Sequence, residues 1–355
     1  MSSFISAKEA AEKWNISTRR VSVLCTENRI DGAMMVGNMW IIPSTAEKPV
    51  DKRTLRSEKT INTVLNPFVK WVGGKSQLIG ELEKMLPEEG ERGFTKYCEP
   101  MVGGGALFFH VLSKYNFKEF YISDVNTELI NAYKVIQSDV EKLIERLQEI
   151  QKSYLSADES AKKSYYYNVR EKFNNTVLSG ATSIDKAAYF IFLNKTCFNG
   201  LYRVNRKGQF NVPMGAYKNP KICDDENLRR IHVALQNVTI INGDYSLSEQ
   251  FIDENTFVYF DPPYRPISET SAFTSYNSDA FGDKEQVRLA EFIDRINSCG
   301  AKIILSNSDP KNVNSDDNFF DELYKKYEVK RVSANRMINS KADCRGKINE
   351  LIISN

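Results

Sequence analysis

Histidine is nearly absent from this 355-residue chain, which holds only His110 and His232. Chemistry that needs a histidine base or a histidine-rich metal cluster therefore has almost no candidates, and His110 falls inside an apolar helix-like run. Cysteine is sparse too. The six, Cys25, Cys98, Cys197, Cys223, Cys299 and Cys344, include no CxxC pair. That spacing suits reduced thiols and argues against a disulfide framework or a structural zinc, so no metal site is expected. There is no apolar run of about eighteen residues and no charged-then-apolar leader ending in small residues. A membrane span and a signal peptide are not indicated, and the cytoplasm is the expected location. Net charge is small as well, 48 basic against 46 acidic residues.

What is present is enough hydrophobic content, 41%, to build one large domain and a small one. The charges are unevenly placed: from Asn194 to Lys221 there are six basic residues, Lys195, Arg203, Arg206, Lys207, Lys218 and Lys221, and no acidic one. Such a run is either a solvated loop or a surface for a polyanion.

Residues 1–44 read as a unit. Ser6 is placed to cap a helix through Trp14, Asn15-Ile16-Ser17 is a turn, and Thr18 is placed to cap a second helix to about Asn28. Gly37-Asn38 between apolar runs predicts a hairpin, the wing of a winged helix-turn-helix. Arg19, Arg20 and Arg29 lie on or beside the second helix, where a DNA-reading helix needs cations. This stretch resembles the winged helix-turn-helix modules of excisionase-like and MerR-like proteins. Residues 45–66 are polar without apolar period and read as a linker. From Pro67 the chain alternates short apolar strands at Lys96–Glu99, Glu119–Ser123, Val238–Asn242, Phe257–Phe260, Ala301–Ser306 and Asn349–Ser354 with helices such as Ala106–Leu112 and Lys284–Asn297. That alternation predicts an α/β sheet, with a helical insertion at about 127–236.

Tyr97-Cys98-Glu99-Pro100-Met101-Val102-Gly103-Gly104-Gly105-Ala106 follows a strand and opens a helix, where such sheets bind nucleotides. Asp124 ends the next strand about twenty residues on, where a carboxylate can accept from both hydroxyls of a ribose. The pair points to an adenosine-containing cofactor. Asp261-Pro262-Pro263-Tyr264 closes the apolar strand Phe257–Phe260. An acid and a carbonyl that can only accept suit the two hydrogens of an exocyclic amine such as adenine N6, whose lone pair is otherwise delocalised into the ring. Freed, that lone pair can attack a sulfonium methyl in line, so positioning and electrostatics carry the catalysis and no histidine is required. Because the amine faces a partner base in duplex DNA, the target must leave the stack, and Tyr264 offers a face for it.

These motifs together resemble the Dam-type (D12 class) DNA adenine-N6 methyltransferases, from about Pro67 to the C-terminus. Pro67-Phe68-Val69-Lys70-Trp71-Val72-Gly73-Gly74-Lys75 is similar to the family's first cofactor-binding segment, Glu99 to Phe109 to its glycine-rich motif, Asp124 to its ribose acid, and Gly243-Asp244-Tyr245 to the segment beside the cofactor adenine. Met101 stands where many relatives have phenylalanine. The resemblance implies a Rossmann-like sheet with an inserted helical and hairpin target-recognition subdomain. It also implies S-adenosylmethionine held by Trp71, Gly73, Gly74, Lys75, Glu99, Pro100, Gly103, Gly105, Asp124, Asp244, Tyr245 and Asp261. Catalysis falls to Asp261, Pro262 and Tyr264.

Phe198 to Pro213 resembles the family's DNA-reading hairpin. By that likeness Lys70, Leu201, Arg203 and Pro213 touch bases and Phe198 wedges the stack, with Val204 replacing an aromatic found in some relatives. Arg203 suits a guanine edge, Arg206 and Lys207 suit phosphates, and Asn199 and Asn205 complete the DNA-facing set. The expected substrate is double-stranded DNA at GATC, and the expected state is a monomer, either standing alone or partnered by a restriction endonuclease. A regulator with a vestigial catalytic domain is the reading from another class; intact Trp71, Lys75, Asp124, Asp261 and Tyr264 weigh against it. Asp261, in a place where cytosine-N4 enzymes commonly carry serine, favours adenine. RNA or protein-glutamine methylation would leave the hairpin likeness unexplained.

Overall fold

The computed structural model describes the chain apart from residues 1–3, 15, 27–29, 31, 38, 47, 49–63, 72, 74, 76–77, 87–92, 179–181, 266–280 and 336–346. Met1–Thr63 forms one compact unit and Val64–Asn355 another.

In the first unit, β1 (Phe4–Ser6) runs into helix α1 (Ala7–Trp14), followed by α2 (Thr18–Thr26), β2 (Met34–Val36) and β3 (Met39–Pro43). Ser6 and Glu9 form a capping box: the Glu9 amide donates to Ser6 Oγ at 3.3 Å, and the Ser6 amide donates to the Glu9 carboxylate at 2.7 Å. The second cap is Ser17, not Thr18. Ser17 Oγ accepts from the Arg20 amide at 3.2 Å, because Ser17 is the last residue outside the helix and Thr18 already lies within it. Ala10, Ala11, Trp14, Val21, Leu24, Cys25, Ile30 and Ile42 make a small core. The expected hairpin is β2–β3, with Gly37 at φ +62°; Asn38 lies outside the described residues. β1 adds a third antiparallel strand beside β3 that the sequence pattern did not suggest. Arg19 is exposed and Arg20 half-buried, while Arg29 lies outside the described residues.

The second unit is organised by a seven-stranded sheet in the order β6-β5-β4-β7-β8-β10-β9, from β4 (Lys96–Glu99), β5 (Glu119–Asp124), β6 (Val238–Asn242), β7 (Thr256–Phe260), β8 (Lys302–Ser308), β9 (Glu328–Asn335) and β10 (Lys347–Ser354). The first five strands in that order pair in parallel, and β10 is antiparallel to both β8 and β9. β9 was not anticipated, since Glu328-Val329-Lys330-Arg331 carries the charge of an edge strand rather than an apolar run. β7 is buried along its whole length, as a central parallel strand must be. Phe257 and Tyr259 join Leu107, Phe108 and Leu129 on one face. Val258 and Phe260 join Leu289, Phe292 and Phe320 on the other, giving three layers with the sheet in the middle.

Helix α3 (Ile79–Glu83), α4 (Ala106–Lys114) and the start of α5 (Thr127–Leu155) cover the first face, and α9 (Asp283–Ser298) with α10 (Phe319–Leu323) the second. α5 has a non-helical residue at Asp139, φ −135° and ψ 41°. Its first turns pack on the sheet, and its later turns lead to α6 (Glu159–Asn175), α7 (Ile184–Thr196) and α8 (Asp225–Leu235). The helical region expected at about 127–236 thus begins as an ordinary crossover helix. Order also starts before Pro67: Leu65 is buried, and Asn66 exchanges hydrogen bonds of 3.1 and 2.8 Å with Asn227, which removes Leu65 and Asn66 from the expected linker. Among the described residues no helix is long and apolar enough to cross a membrane.

Candidate active site

The chain leaves β4 through β5 and β6 on one side, then returns to place β7 on the other side of β4. The connections therefore diverge above the carboxyl ends of β4 and β7, which is where open α/β sheets hold ligands. Glu99 ends β4, Asp261 follows β7, Asp124 ends β5 and Asp244 follows β6, so carboxylates line this edge. Burial holds the Glu99 carboxyl well above the usual range, opposed by the Tyr97 hydroxyl that donates to Oε2 at 2.6 Å and reinforced by the charge of Asp261. Burial raises Asp124 as well, against two backbone donors, Gly103 N–H to Oδ2 at 3.0 Å and Asn126 N–H to Oδ1 at 2.8 Å. Each Asp124 oxygen retains a second lone pair for a diol.

The glycine loop is tight for a reason the sequence pattern did not supply. A Cβ on Gly103 or Gly104 would sit 2.8 or 2.7 Å from Trp71, and one on Gly105 would sit 2.5 Å from the Tyr133 hydroxyl. These glycines therefore admit the protein's own aromatic rings, and Gly103 and Gly105 also adopt φ of +49° and +70°. Trp71 covers the loop. Gly73 has φ +83°, and Gly74 lies outside the described residues. Pro100 accepts from Ser123 Oγ at 3.2 Å, fixing the turn into the loop.

Lys75 is 4% exposed, and its ammonium lies 2.7 Å from Asp261 Oδ1. It also donates to the Tyr264 hydroxyl at 2.6 Å and to the Gly73 carbonyl at 3.1 Å, 4.4 Å from the Tyr264 ring centroid. The Tyr264 hydroxyl donates onward to Glu350 at 2.8 Å, and Glu350 lies 4.0 Å from Lys75. Burial raises Asp261 above the usual carboxylate range, and Lys75 is the main opposing influence, followed by Ser306, whose hydroxyl reaches Oδ1 at 3.3 Å. Among the described residues no hydrogen bond reaches Asp261 Oδ2 or the carbonyl of buried Pro262. Buried Gln286 donates to the Pro263 carbonyl at 3.2 Å and accepts from Asn307, and Arg265 grips Asp283 and Asp317 at 2.6 and 2.7 Å, so the loop is held from both sides. Glu350, Ser306, Gln286 and Arg265 were missed by the sequence reading. Glu350 stands 86 positions from Tyr264, and no local spacing connects them.

Asp244 and Tyr245, expected beside the cofactor adenine, have protein partners for their side chains. Arg288 takes both Asp244 oxygens at 2.7 and 3.0 Å, and Ser246 shares one of them. Tyr245 turns into the core against Phe292. His110 and His232 sit on α4 and α8, outside this cluster.

The hairpin follows α7. Phe198 N–H donates to the Pro213 carbonyl at 2.9 Å, and Val204 pairs with Phe210 in an antiparallel bridge. Phe198 is 52% exposed, and Arg203, Arg206, Lys207 and Pro213 are exposed with it. Asn199 adopts φ +54°, a conformation asparagine tolerates. Leu201 is half-buried against the core. Arg203 Nε is steadied by Asn211 at 2.7 Å. The Asn205 side chain closes its own turn, accepting from the Lys207 and Gln209 amides at 2.9 and 3.0 Å. Lys70 exchanges backbone bonds of 2.7 and 2.8 Å with the Asn194 side chain, which also binds the Gly200 carbonyl, tying the first segment to the hairpin base. Its ammonium lies 3.8 Å above the Tyr217 ring.

A Rossmann-like sheet with a glycine loop, Asp124 and an Asp-Pro-Pro-Tyr loop at one crevice has the α/β architecture of a methyltransferase. Residues 71–338 match the model of the D12 class N6 adenine-specific DNA methyltransferases, and the chain belongs to that family. It is a site-specific DNA adenine methyltransferase acting on DNA. It is 48% identical to the type II methyltransferase M.MjaIII of Methanocaldococcus jannaschii over 82% of this chain and 99% of that protein. It is 39% identical to the type II methyltransferase M1.LlaDCHI of Lactococcus lactis subsp. cremoris, over 82% and 95%. It is 34% identical to the DNA adenine methylase of Haemophilus influenzae, over 81% and 92%.

Proposed function

We propose that this chain methylates adenine N6 at GATC in duplex DNA, with S-adenosylmethionine as the donor and the target base swung out of the helix. The observation that carries the chemistry is the pair of acceptors, Asp261 Oδ2 and the Pro262 carbonyl, at the crevice between β4 and β7. They would take the two amine hydrogens and free the nitrogen lone pair. The Lys75 ammonium favours the ionised form of Asp261, and Ser306 and Gln286 keep the loop in position. The base would stack on the Tyr264 face turned away from Lys75.

The donor fits the residues present. Glu99, Asp124 and Asp261 make an acidic edge, and Lys75 is already spent on Asp261, which disfavours a diphosphate cofactor and favours an adenosine that carries a cation. Asp124 would hold the ribose, Glu99 and the Gly73 and Gly103–Gly105 backbone would meet the amino-acid portion, and Trp71 would close the pocket. When bound, S-adenosylmethionine supplies an electrophilic sulfonium methyl. Lys70, Leu201, Arg203 and Pro213 would read bases, Phe198 would enter the stack, and Asn199, Arg206 and Lys207 would follow the backbone.

The N-terminal unit is proposed as a winged helix-turn-helix that adds DNA affinity through the α2 face bearing Arg19. We further infer a cytoplasmic monomer, working alone or as the modification half of a restriction system. The test is incubation of unmethylated genomic DNA with S-adenosylmethionine and purified protein, then single-molecule mapping of modified bases. N6-methyladenine confined to GATC is expected, and another motif would overturn the hairpin assignment. Asp261→Ala should abolish transfer; full activity in that variant would overturn the mechanism.

A further inference from the structure

We propose that Tyr202 couples the DNA-reading hairpin to the cofactor pocket, so that docking on DNA and filling of the pocket favour one another; this rests on the reading of the two sites given above. The Tyr202 ring stacks on Trp71, with centroids 5.9 Å apart and planes 20° from parallel. Trp71 in turn lies directly on Gly103 and Gly104, where no side chain larger than hydrogen fits. The Tyr202 hydroxyl donates to Glu128 at 3.3 Å. Glu128 is in the first turn of α5, four residues past Asp124, whose carboxylate holds the Gly103 and Asn126 amides. One hairpin residue thus touches both segments that build the pocket.

The neighbours of the stack tie the link to the residues assigned to bases. Tyr202 lies between Leu201 and Arg203, and Trp71 follows Lys70, so both partners are adjacent in the chain to residues assigned to bases. The stack is also confined. Phe190 and Phe210 pack on Tyr202 at 5.7 and 5.8 Å, so the hairpin cannot reseat without carrying the ring that supports Trp71. A contact that differs between the docked and free hairpin changes the free energy of the pocket, and linkage makes the effect equal in the other direction.

The experiment is calorimetric titration of S-adenosylhomocysteine into the free full-length protein and into its complex with an unmodified duplex carrying the methylated motif. The ratio of the two dissociation constants is the coupling factor. The wild type should show tighter binding on DNA by at least about fivefold, the low end of ordinary coupling. Tyr202→Ala should bring the ratio to within about twofold of unity while each ligand still binds alone. Tyr202→Phe, which keeps the stack and loses the Glu128 bond, should give an intermediate ratio, and Glu128→Ala, which removes the acceptor, should match it. Should Tyr202→Ala prove unstable, Tyr202→Leu is read in its place. A wild-type ratio of one, or a wild-type ratio retained in the alanine or leucine variant, overturns the coupling. Failure of the wild type to bind cofactor product or DNA at all would instead overturn the functional reading.

Discussion

Replacing Lys75 with methionine removes the ammonium that faces Asp261 while keeping most of the length of the side chain. The pair is separated by 2.7 Å, with Lys75 4% and Asp261 23% exposed. Loss of an opposite charge at that range raises a carboxylate by about 1–3 pKa units, each worth about 1.4 kcal/mol. Asp261 is already raised by burial, with Lys75 as the chief influence holding it down, so the variant moves it further in the direction it has begun to go. Asp261 is the stronger acceptor when ionised, and protonation can set an O–H donor where an amine hydrogen must be received. The acid limb of the kcat profile should therefore shift upward by about 1–3 pH units, with activity recovering as pH rises.

Stability gives a second reading with its own sign. A carboxyl whose folded pKa is raised favours the folded state below its unfolded pKa, and that contribution is lost as pH rises through the folded value. Lys75→Met should accordingly cost about 3 kcal/mol at neutral pH, the lower end for an uncompensated buried charge because Asp261 is part-exposed. The deficit should shrink as pH falls and Asp261 takes up a proton. Thermal melts and single-turnover methylation across pH measure both. A uniform loss of rate with no displacement of the acid limb, or a melting deficit independent of pH, would refute the assignment of Lys75 as the group that favours the ionised form of Asp261.

Glu350→Gln retains a partner for the Tyr264 hydroxyl but removes the second carboxylate near Lys75, and should lower kcat more than it raises KM in steady-state methylation assays. Gly103→Ala should cost about 1–2 kcal/mol from its left-handed backbone alone. It should also weaken cofactor binding by displacing Trp71, whereas Gly73→Ala, with open space at its Cβ, should show only the backbone cost; melting curves and cofactor titration separate the two. Arg203→Ala should relax discrimination at one base pair by about 1–3 kcal/mol in competition between cognate and single-mismatch duplexes. An equal loss on all duplexes would make it a phosphate contact.

The parts of this protein that were legible in its sequence are those whose chemistry is local. Apolar runs of four to six residues located six of the seven strands of the large sheet, because a buried strand needs no distant partner to be hydrophobic. The glycine loop, Asp124 and the Asp-Pro-Pro-Tyr loop were legible because each is a contiguous device at the end of such a strand, and the hairpin because its turn residues and basic run are contiguous too. What only the tertiary structure decided is how residues far apart in the chain share one environment. Strand order set Glu99 beside Asp261, packing gave the three glycines to Trp71 and Tyr133, and the arrival of β10 brought Glu350 to Tyr264. Arg288, forty-four residues away, binds both oxygens of Asp244, a pairing that no local motif carries. Electrostatic neutralisation and steric contact depend on distance through space, and a linear pattern carries that distance only where the chain itself is the shortest path.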